Sequence, residues 1–338
     1  MSEFHINVVR LGKMREHPNA DTLNIVNIFD YPVITKKGGF KEGELVVYIP
    51  VDSVVPDTED WHFLCPLEDG KPKYPVGEVP EKYRVIEAKK LRGIFSQGML
   101  APLPDSNLSE GDDVRELMGI TKYEPKEPVM MGGECEPAPK GWQFSTYTDI
   151  EGMRRYPNII EEGEHVVLTE KLHGANARYV HDGERLWVGS HTQIKKFDER
   201  NMWWKQAIKD NLEEKLSHMP MHIFFGEVYG QVQDLKYGIN SGTEFRVFDV
   251  FDVKKKVYLD FHEAKRAAEA CSLRWVPILF EGPWDPALGT YAEGKSTLAD
   301  NVREGFVIRP IRERWNEKIG RVVLKRHGEG YLLRKKKK

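Results

Sequence analysis

Short apolar runs, separated by glycine, proline and charged residues, dominate the first 120 positions of the chain. The clearest run is VVYIPVDSVV at 46–55, which follows the turn residues KEGE at 41–44. Two shorter runs are RVIEA at 84–88 and GMLAPL at 98–103. Short strands bounded in this way are typical of small all-β domains, and we expect a barrel rather than a sandwich.

The pattern changes in the second half, where strand-like runs alternate with helical spacing. Ile208, Leu212 and Leu216 recur at helical intervals within 205–219, and the alanine-rich 261–272 predicts a second helix. The strand-like runs are MHIFFGEVYG (221–230), EFRVFDVFDV (244–253), REGFVIRP (303–310) and GRVVLKRH (320–327). We therefore predict an α+β domain with an antiparallel sheet core.

A segment rich in proline, glycine and glutamate, 124–140, lies between these two patterns and shows no periodicity. Such a composition is typical of a linker. The predicted organisation is a β-barrel domain at 1–122, a linker at 123–141 and an α+β domain at 142–338.

Composition and charge narrow the class of protein. The net charge of −3 argues against nonspecific coating of nucleic acid, although it leaves room for a local basic groove. The three cysteines are far apart in a chain of 338 residues, which favours a reducing, cytoplasmic compartment over a disulfide framework. We expect no membrane association, because no run of about 18 apolar residues occurs, and a monomer, because no helix is patterned as a dimer seam.

A lysine in a predicted turn is the first candidate for a catalytic residue. Lys171 stands in TEKLHGANAR (169–178), directly after an apolar run. Lysine is a nucleophile only when neutral, so burial or a neighbouring cation must lower its pKa from about 10.4. Gly174 would let a ligand approach the backbone closely, and the amide of Asn176 can contact a ribose or a phosphate. So short a motif also arises by chance.

Two carboxylates and a second lysine follow at strand ends. Glu227 interrupts the apolar FFGEVYG, where a carboxylate is costly unless it has a charged partner or a ligand. Glu304 opens EGFVIR, and Lys325 closes VVLK. This set suits a divalent metal and a polyphosphate, although a buried structural ion pair would also explain the carboxylates.

The ordered series EKLHGAN, FFGEVYG, FRVFD, EGFVIR and VVLK resembles the collinear motifs of the covalent nucleotidyltransferases, which comprise DNA ligases, RNA ligases and mRNA capping enzymes. The match spans roughly 165–333. His173, where DNA ligases usually carry aspartate, and Asn176 resemble the RNA ligase 2-like branch. The resemblance implies ATP-grasp-like antiparallel sheets with helices.

The same resemblance implies a role for each motif. Lys171 is the nucleophile that attacks the α-phosphorus of ATP, and AMP then passes to an RNA 5′-phosphate before a 3′-OH seals the strand. Lys325 neutralises the α-phosphate and contacts the nucleotide. Glu227 and Glu304 are the catalytic carboxylates at the Mg or Mn site. Glu227 contacts the ribose or a metal-bound water, and Glu304 is favoured for the metal.

The nucleotide contacts are also implied by the resemblance. Phe245 matches the position at which the family has a ring that stacks on adenine. Phe248 and Phe251 are expected in the core. The remaining predicted contacts come from the lysine turn: Glu170, Leu172, His173, Gly174 and Asn176.

The first domain carries a resemblance of its own. The segment EHPNADTLNIVNI (16–28) resembles the OB-like module of phenylalanyl-tRNA synthetase beta chains and related tRNA-binding domains. An OB module ahead of an RNA ligase 2-like domain is similar to the Deinococcus/Naegleria-type RNA ligases, which implies an ATP-dependent ligase of RNA repair that seals nicked duplexes with an RNA 3′-OH strand. KKLRG (89–93) supplies positive charge for phosphates. The HPNADTL stretch could equally be a structural turn capped by Asn19 and Asp21.

Two departures from the family pattern stand out. His191 lies where an arginine is usual, which leaves weaker candidates for phosphate or RNA contacts: Ser190, Lys195 and Lys196. Val323 occupies the slot of an earlier lysine in the final motif, for which Arg321 or Arg326 could compensate.

Two other functions compete with this interpretation. A DNA ligase or a GTP-using capping enzyme is disfavoured by His173 and by the position of the OB module. A catalytically silent RNA-binding protein would be expected to lack the nucleophile, a carboxylate or the final lysine, and all of them are present.

Overall fold

The computed structural model describes residues 4–123, 133–137, 144 and 146–334. Their contacts divide them into two compact units. The first contains the described residues up to 123 together with Arg154–Pro157, and the second contains those from 133 to 153 and from Asn158 onward. Most of the predicted linker 123–141 falls outside the described residues.

The first unit is built from short antiparallel strands. These are β1 (Asn7–Arg10), β2 (Arg15–Glu16), β3 (Leu23–Ile28), β4 (Tyr31–Lys36), β5 (Leu45–Ile49), β6 (Ser53–Val54), β7 (Leu67–Glu68), β8 (Lys71–Pro72), β9 (Lys89–Leu91), β10 (Ile94–Ser96), β11 (Met99–Ala101) and β12 (Thr121–Lys122). Two three-stranded sheets, β1-β5-β11 and β2-β3-β4, are accompanied by the pairs β9–β10, β6–β12 and β7–β8. Short 3-10 helices span Glu59–Leu64 and Glu81–Tyr83.

The central strand β5 explains the barrel. Val47 and Ile49 point into one apolar core, and Val46 and Tyr48 point into another. Because successive side chains of a strand alternate, a strand that is apolar at every position has both faces covered. Hence the strongest apolar run of the first domain lies at its centre.

Two sequence predictions in this unit need correction. The run 46–55 forms two strands rather than one, because the chain turns between Pro50 and Asp52, where Asp52 has φ +62°. RVIEA does not form a strand: within it only Val85 makes a bridge, to Val54.

The segment Arg154–Pro157 joins the first unit through hydrogen bonds that the sequence did not indicate. The backbone N–H of Asp30 donates to the carbonyl of Arg154 at 2.8 Å. Arg155 donates from Nη2 to Oδ1 of Asn7 at 2.6 Å. Four residues far along the chain are thus part of the first unit.

The second unit contains two larger sheets and four helices among its described residues. Its strands are β13 (Cys135–Glu136), β14 (Glu151–Gly152), β15 (His165–Glu170), β16 (Ala175–His181), β17 (Leu186–Gly189), β18 (Ile194–Lys195), β19 (His222–Gly230), β20 (Thr243–Asp252), β21 (Val257–Tyr258), β22 (Ile278–Pro283), β23 (Gly305–Pro310), β24 (Trp315–Asn316), β25 (Gly320–Arg321) and β26 (Leu324–His327). Its helices are α1 (Met202–Lys209), α2 (Leu212–Ser217), α3 (Phe261–Ala270) and α4 (Glu329–Leu332), with a 3-10 helix at Pro286–Ala292.

The two sheets share a core. The seven-stranded sheet has the order β13-β18-β17-β16-β19-β20-β21, and the five-stranded sheet has the order β14-β26-β23-β15-β22. Only the β14–β26 pair is parallel among these described strands. Val167 of β15 packs into the core beneath the larger sheet, whereas its neighbours Val166 and Leu168 pack into a second core. The α+β class and the antiparallel core are therefore as predicted.

Two predicted elements are broken in the structure. The helix expected over 205–219 becomes α1 and α2, because Asn211 adopts the left-handed conformation at φ +53°. Ile208, predicted to face the core, is 52 % exposed. The run 320–327 likewise divides into β25 and β26.

Cys65 and Cys271 are buried, Cys135 is exposed, and all three are free thiols. Within the described ranges, no helix has the length and apolar character that a bilayer crossing requires.

Candidate active site

A pocket opens in the second unit between its two sheets. Its volume of about 210 Å³ is several times the roughly 30 Å³ that one water occupies, so it is of ligand size rather than a packing defect. The residues that line it are Tyr147, Thr148, Asp149, Ile150, Thr169, Glu170, Lys171, Leu172, Asn176, His191, Glu227, Phe248, Phe261, Val276, Val307, Arg309 and Lys325. Most of the sequence-predicted site residues are among them.

Lys171 follows the last residue of β15, as the sequence predicted. Its backbone N–H donates to the carbonyl of Gly305 at 3.0 Å, which fixes the turn against the start of β23. Its Nζ lies 2.7 Å from Oε1 of Glu304. Burial would lower the pKa of Lys171, but attraction to Glu304, and to Glu227 whenever it is ionised, outweighs burial and raises the pKa above its usual value.

The pKa of Lys171 thus moves in the direction opposite to the sequence-based expectation. That expectation required burial and a nearby cation to dominate, whereas the charged groups with the largest effect on Lys171 are the carboxylates of Glu304 and Glu227. In the structure Lys171 is an ammonium held in an ion pair, and it needs activation before it can act as a nucleophile.

Glu304 is the most enclosed member of the site, with its side chain 4 % exposed. Besides Lys171, it faces His173 Nδ1 at 3.6 Å and His327 Nε2 at 3.5 Å. Burial alone would raise its pKa, but the positive charge of Lys171 and the two imidazoles hold the pKa of Glu304 well below its usual value. Its Oε2 is buried and accepts no hydrogen bond from the described residues.

Glu227 reaches the site from the middle of β19. It lies opposite Asn176 of β16, and its Oε1 accepts a hydrogen bond from the backbone N–H of Gly174 at 2.9 Å. Burial raises the pKa of Glu227 to about 8, and the charge of Lys171 offsets this only in part. A neutral Glu227 therefore stands beside an ionised Glu304 near neutral pH.

Gly174 and Asn176 lie on the β19 side of the lysine turn. A Cβ on Gly174 would lie 2.2 Å from the carbonyl oxygen of Val228, so only glycine lets the turn approach β19 this closely. Asn176 lines the pocket, and its Oδ1 is buried without a hydrogen-bond partner among the described residues. Such an acceptor is available to a ligand.

Glu170 and Leu172, which flank the lysine, also border the pocket. The Oε2 atom of Glu170 accepts hydrogen bonds from the backbone N–H and the hydroxyl of Thr297, at 2.9 and 2.6 Å. Its Oε1 is buried and receives none from the described residues. Leu172 packs into the core of the larger sheet.

Lys325 lines the pocket from β26, where it pairs with Val307 of β23. Val323 is buried, and Arg321 does not replace the missing lysine, because its guanidinium is bound to Asp249 and Glu313 in the interior. Arg326 lies against Gly289. Lys325 is thus the lysine of the final motif that reaches the pocket.

The aromatic strand β20 differs from the prediction. Phe245 is 2 % exposed, packs edge-on against Tyr179, and is absent from the described residues that line the pocket. Phe248, expected in the core, lines the pocket instead. Alternation along the strand puts Phe245 and Phe248 on opposite sides, and a β-bulge opposite Phe225 and Gly226 leaves Phe248 without a pairing partner on β19.

A buried cluster beside the pocket was missed by the sequence analysis. Asp249 accepts hydrogen bonds from Tyr147 and Arg309, each at 2.9 Å, and from Arg321 at 2.5 Å. The signal was available, because Asp249 is a carboxylate in an otherwise aromatic strand, as Glu227 is in an apolar one. The cluster holds two pocket-lining side chains, Tyr147 and Arg309, in place.

His191 occupies the position where the family usually has an arginine, and the structure shows where it and the nearby lysines lie. His191 lines the pocket and lies 3.5 Å from Asp149. Lys195 is buried against the ring of Trp203, and Lys196 pairs with Glu134. Among Lys195, Lys196 and His191, only His191 borders the described pocket.

The carboxylates of the site offer a partial set of metal ligands. Among the described residues, no three or more His, Cys, Asp or Glu side chains are arranged to hold an ion by themselves. Glu304 and Glu227 nevertheless offer two carboxylates, one with an unused buried oxygen. Two carboxylates plus phosphate oxygens and waters fit the way Mg²⁺ is usually bound.

Two family models match separate parts of the chain. Residues 164–327 match the model of the RNA ligase family, and residues 6–103 match that of an OB-fold domain. Naegleria gruberi RNA ligase with PPi has a similar structure, with a TM-score of 0.79 and 24% identity over 97% of this chain and 97% of that chain. A lysine-to-alanine mutant of the same ligase, with ATP and Mn, has a TM-score of 0.80 and 22% identity over 97% of this chain and 98% of that chain. A search of curated proteins finds none that matches this sequence.

Proposed function

We propose that this chain, whose residues 164–327 match the RNA ligase family, seals RNA strands with ATP through an adenylate carried on Lys171. The observation that supports this most directly is that Lys171, which pairs with Glu304 at 2.7 Å, lines a ligand-sized pocket that Lys325 also borders. The OB-fold domain precedes the ligase domain in the same chain.

The proposed reaction has three steps, all of them phosphoryl transfers. Neutral Lys171 attacks the α-phosphorus of ATP, a nitrogen–phosphorus bond forms, and pyrophosphate leaves. An RNA 5′-phosphate oxygen then attacks the same phosphorus, and Lys171 leaves and regains a proton. Finally a 3′-OH attacks the activated 5′-phosphate, losing its proton as AMP departs. Positioning and charge neutralisation carry most of the catalysis in such steps.

The residues around Lys171 must first release its proton. Glu304 stabilises the ammonium, so the amine becomes available when other positive charge replaces it at the carboxylate. A Mg or Mn ion held by Glu304 and Glu227 would supply that charge and polarise the phosphate. Lys325 adds a fixed positive charge on the opposite wall of the pocket.

The nucleotide is recognised by three pocket features. We assign the adenine-stacking role to Phe248 rather than to Phe245, because Phe248 borders the pocket. The unused Oε1 of Glu170 can accept a hydrogen bond from the amino group of adenine, which guanine replaces with an oxygen acceptor. The unused Oδ1 of Asn176 suits a ribose hydroxyl. His173 and Gly174 shape the turn, and Leu172 supports it from the core.

The finer description of the substrate is also part of the proposal. The OB-fold domain is suited to binding an extended nucleic acid, such as a nicked duplex with an RNA 3′-OH strand. Three free thiols favour a reducing, cytoplasmic setting for this RNA repair. We propose that one copy of the chain suffices.

The deciding experiment is labelling with α-labelled ATP and a divalent metal, followed by denaturing electrophoresis of the wild type and Lys171→Ala. We expect label on the wild type alone, lost in acid but stable in base, as a phosphoramidate requires. Lys295→Ala is the matched control, because Lys295 pairs with Asp300 at the surface. Absence of label, after any bound AMP has been removed, would favour a silent RNA-binding protein.

Sealing assays then separate the remaining alternatives. We expect joining of a nicked duplex when the 3′-OH strand is RNA, with ATP and not GTP. Labelling by GTP would indicate a capping-type enzyme, and equal sealing of all-DNA nicks would indicate a DNA ligase.

A further inference from the structure

The end of the described chain folds back onto the nucleophile. His327 ends β26, and α4 then carries Tyr331 and leads to Arg334. We call these three residues the C-terminal clasp. The start of α4 is fixed by Glu293, whose Oε1 accepts a hydrogen bond from the backbone N–H of Glu329 at 2.8 Å. The clasp is therefore anchored independently of the pocket.

Tyr331 connects the two imidazoles that face Glu304. Its hydroxyl lies 3.1 Å from His173 Nδ1, and its ring is stacked on His327 with 18° between the planes. The two imidazoles in turn approach the two different oxygens of Glu304. Because Tyr331 is buried, this arrangement has little freedom to rotate.

Asp234, from the segment between β19 and β20, holds the other side of His173. Its Oδ1 lies 2.7 Å from His173 Nε2. Arg334 donates to both oxygens of Asp234, at 3.0 and 3.2 Å, and its guanidinium lies 3.6 Å from the centre of the Tyr331 ring. Such a forked contact fixes a carboxylate in direction as well as in place.

This carboxylate also fixes the direction of the His173 ring. An ionised carboxylate only accepts hydrogen bonds, so Nε2 of His173 donates to Asp234. Nδ1 then faces both the Tyr331 hydroxyl and Oε2 of Glu304. The chain of contacts runs from Arg334 through Asp234 and His173 to Glu304, and from there to Lys171.

We propose that Asp234 and Arg334 are positioning residues for the nucleophile: they orient His173 and thereby fix the carboxylate of Glu304 that pairs with Lys171. This inference rests on the proposed function. The two residues touch neither Lys171 nor the pocket among the described contacts, so their effect is exerted through His173. The site is incomplete without the clasp.

The test compares the rates of two reactions in Asp234→Asn. Lys171 makes or breaks a bond during protein adenylylation but not when the enzyme seals RNA that already carries a 5′-adenylate. We expect adenylylation to slow by about ten- to a hundredfold, as is typical when the group that orients a functional histidine is removed. Sealing of pre-adenylated nicked RNA should stay near the wild-type rate, and Asp234→Glu should restore part of the adenylylation.

Glu244→Gln is the matched control. Glu244 has the same side-chain exposure as Asp234, 27%, and pairs with Arg274, away from the described pocket. Arg334→Gln tests the same link from its other end, should Asp234→Asn fail to fold. Wild-type rates of adenylylation in both Asp234→Asn and Arg334→Gln would overturn the inference. Equal loss of adenylylation and of sealing of pre-adenylated RNA would overturn it as well. An unlabelled wild type would instead overturn the proposed function.

Discussion

At the scale of single residues, the site depends on the shared charge of three side chains. Lys171 and Glu304 are both ionised, and their pKa values are shifted in the directions that favour the pair. Glu227, on the larger sheet, carries the proton that keeps the trio neutral. Without a ligand these three buried side chains therefore carry no net charge together. Lys171 becomes reactive only when a ligand adds charge to the site.

The first prediction follows from the raised pKa of Glu227, about 8 against 4.5 for the free side chain. The stability that a neutral Glu227 provides is fully present below about 4.5 and is lost as the pH rises through about 8. Glu227→Gln removes this dependence. We therefore expect the Tm of the variant, relative to the wild type, to increase between pH 5 and pH 9 in the presence of a chelator.

Thermal melts across that range check the prediction. Glu263→Gln, at an exposed position of α3, is the control and should follow the wild type. If the Tm of Glu227→Gln and the Tm of the wild type change in the same way with pH, then Glu227 is ionised across the whole range from pH 5 to pH 9.

The second prediction separates the two phenylalanines. Stacking of an aromatic ring on a base contributes about 1–3 kcal/mol, so Phe248→Ala should raise the KM for ATP about ten- to a hundredfold. Phe245→Ala should instead lower the free energy of unfolding by about 3–5 kcal/mol, because it empties a buried core position. Adenylylation kinetics and denaturant unfolding of both variants provide the comparison. A large rise in KM for Phe245→Ala alone would return the stacking role to Phe245.

At the scale of elements, the pocket depends on how β20 meets the smaller sheet. The bulge places Phe248 and Asp249, which are consecutive, on the side of Tyr147: the ring of Phe248 lies 4.8 Å from that of Tyr147, and Asp249 accepts from its hydroxyl. Asp249 then binds Arg309 of β23 and Arg321 of β25. One irregularity in a strand therefore supplies both a wall of the pocket and its anchor.

The third prediction concerns this anchor. Asp249→Asn leaves two buried guanidinium groups with less compensating charge, and removing one partner of a buried ion pair costs about 3–5 kcal/mol. We expect a loss of that size in the free energy of unfolding, measured with urea. Asp300→Asn, which breaks an exposed pair with Lys295, should have no measurable effect. Similar stability of the two variants would show that the cluster does not hold β20 to β23.

At the scale of the whole molecule, the pocket and the exposed basic hairpin of the first domain belong to different units. Every residue that lines the pocket belongs to the second unit. The first unit presents the hairpin β9–β10, in which Lys89, Lys90 and Leu91 are exposed and Arg92 has φ +46°. Exposed lysines on a small β domain are suited to binding the backbone phosphates of a nucleic acid. Such contacts do not depend on the base sequence.

The fourth prediction uses this separation. Lys89→Gln combined with Lys90→Gln should weaken binding of a nicked RNA duplex and reduce the salt slope by about one for each phosphate that the variant no longer binds. Adenylylation should be unchanged, because the pocket is untouched. Lys254→Gln with Lys256→Gln is the control, since these lysines occupy another exposed hairpin turn, with Lys256 at φ +59°. Equal effects of the two pairs would show that only total charge matters.

The sequence by itself determined the architecture and the identity of most of the site. Strand periodicity and an ordered set of motifs are local properties, so the α+β class, the lysine turn and Glu304 at the start of a strand could be read directly. Glu227, predicted at a strand end, lies instead in the middle of β19. The family match confirms the resemblance that those motifs carried. Element interiors were predicted better than their ends, because a single left-handed residue such as Asn211 divides a helix without changing its apolar spacing.

Tertiary structure alone decided what each site residue is next to. The charge state of Lys171 depends on Glu304, 133 positions away, and the ring at the pocket depends on a bulge that pairing with β19 creates. The clasp brings Arg334 to Asp234 across 100 positions. Electrostatic energies depend on separation in space and on burial, neither of which a linear pattern contains. The motifs therefore identified candidate reacting groups, and the fold determined the protonation, the orientation and the partners of those side chains.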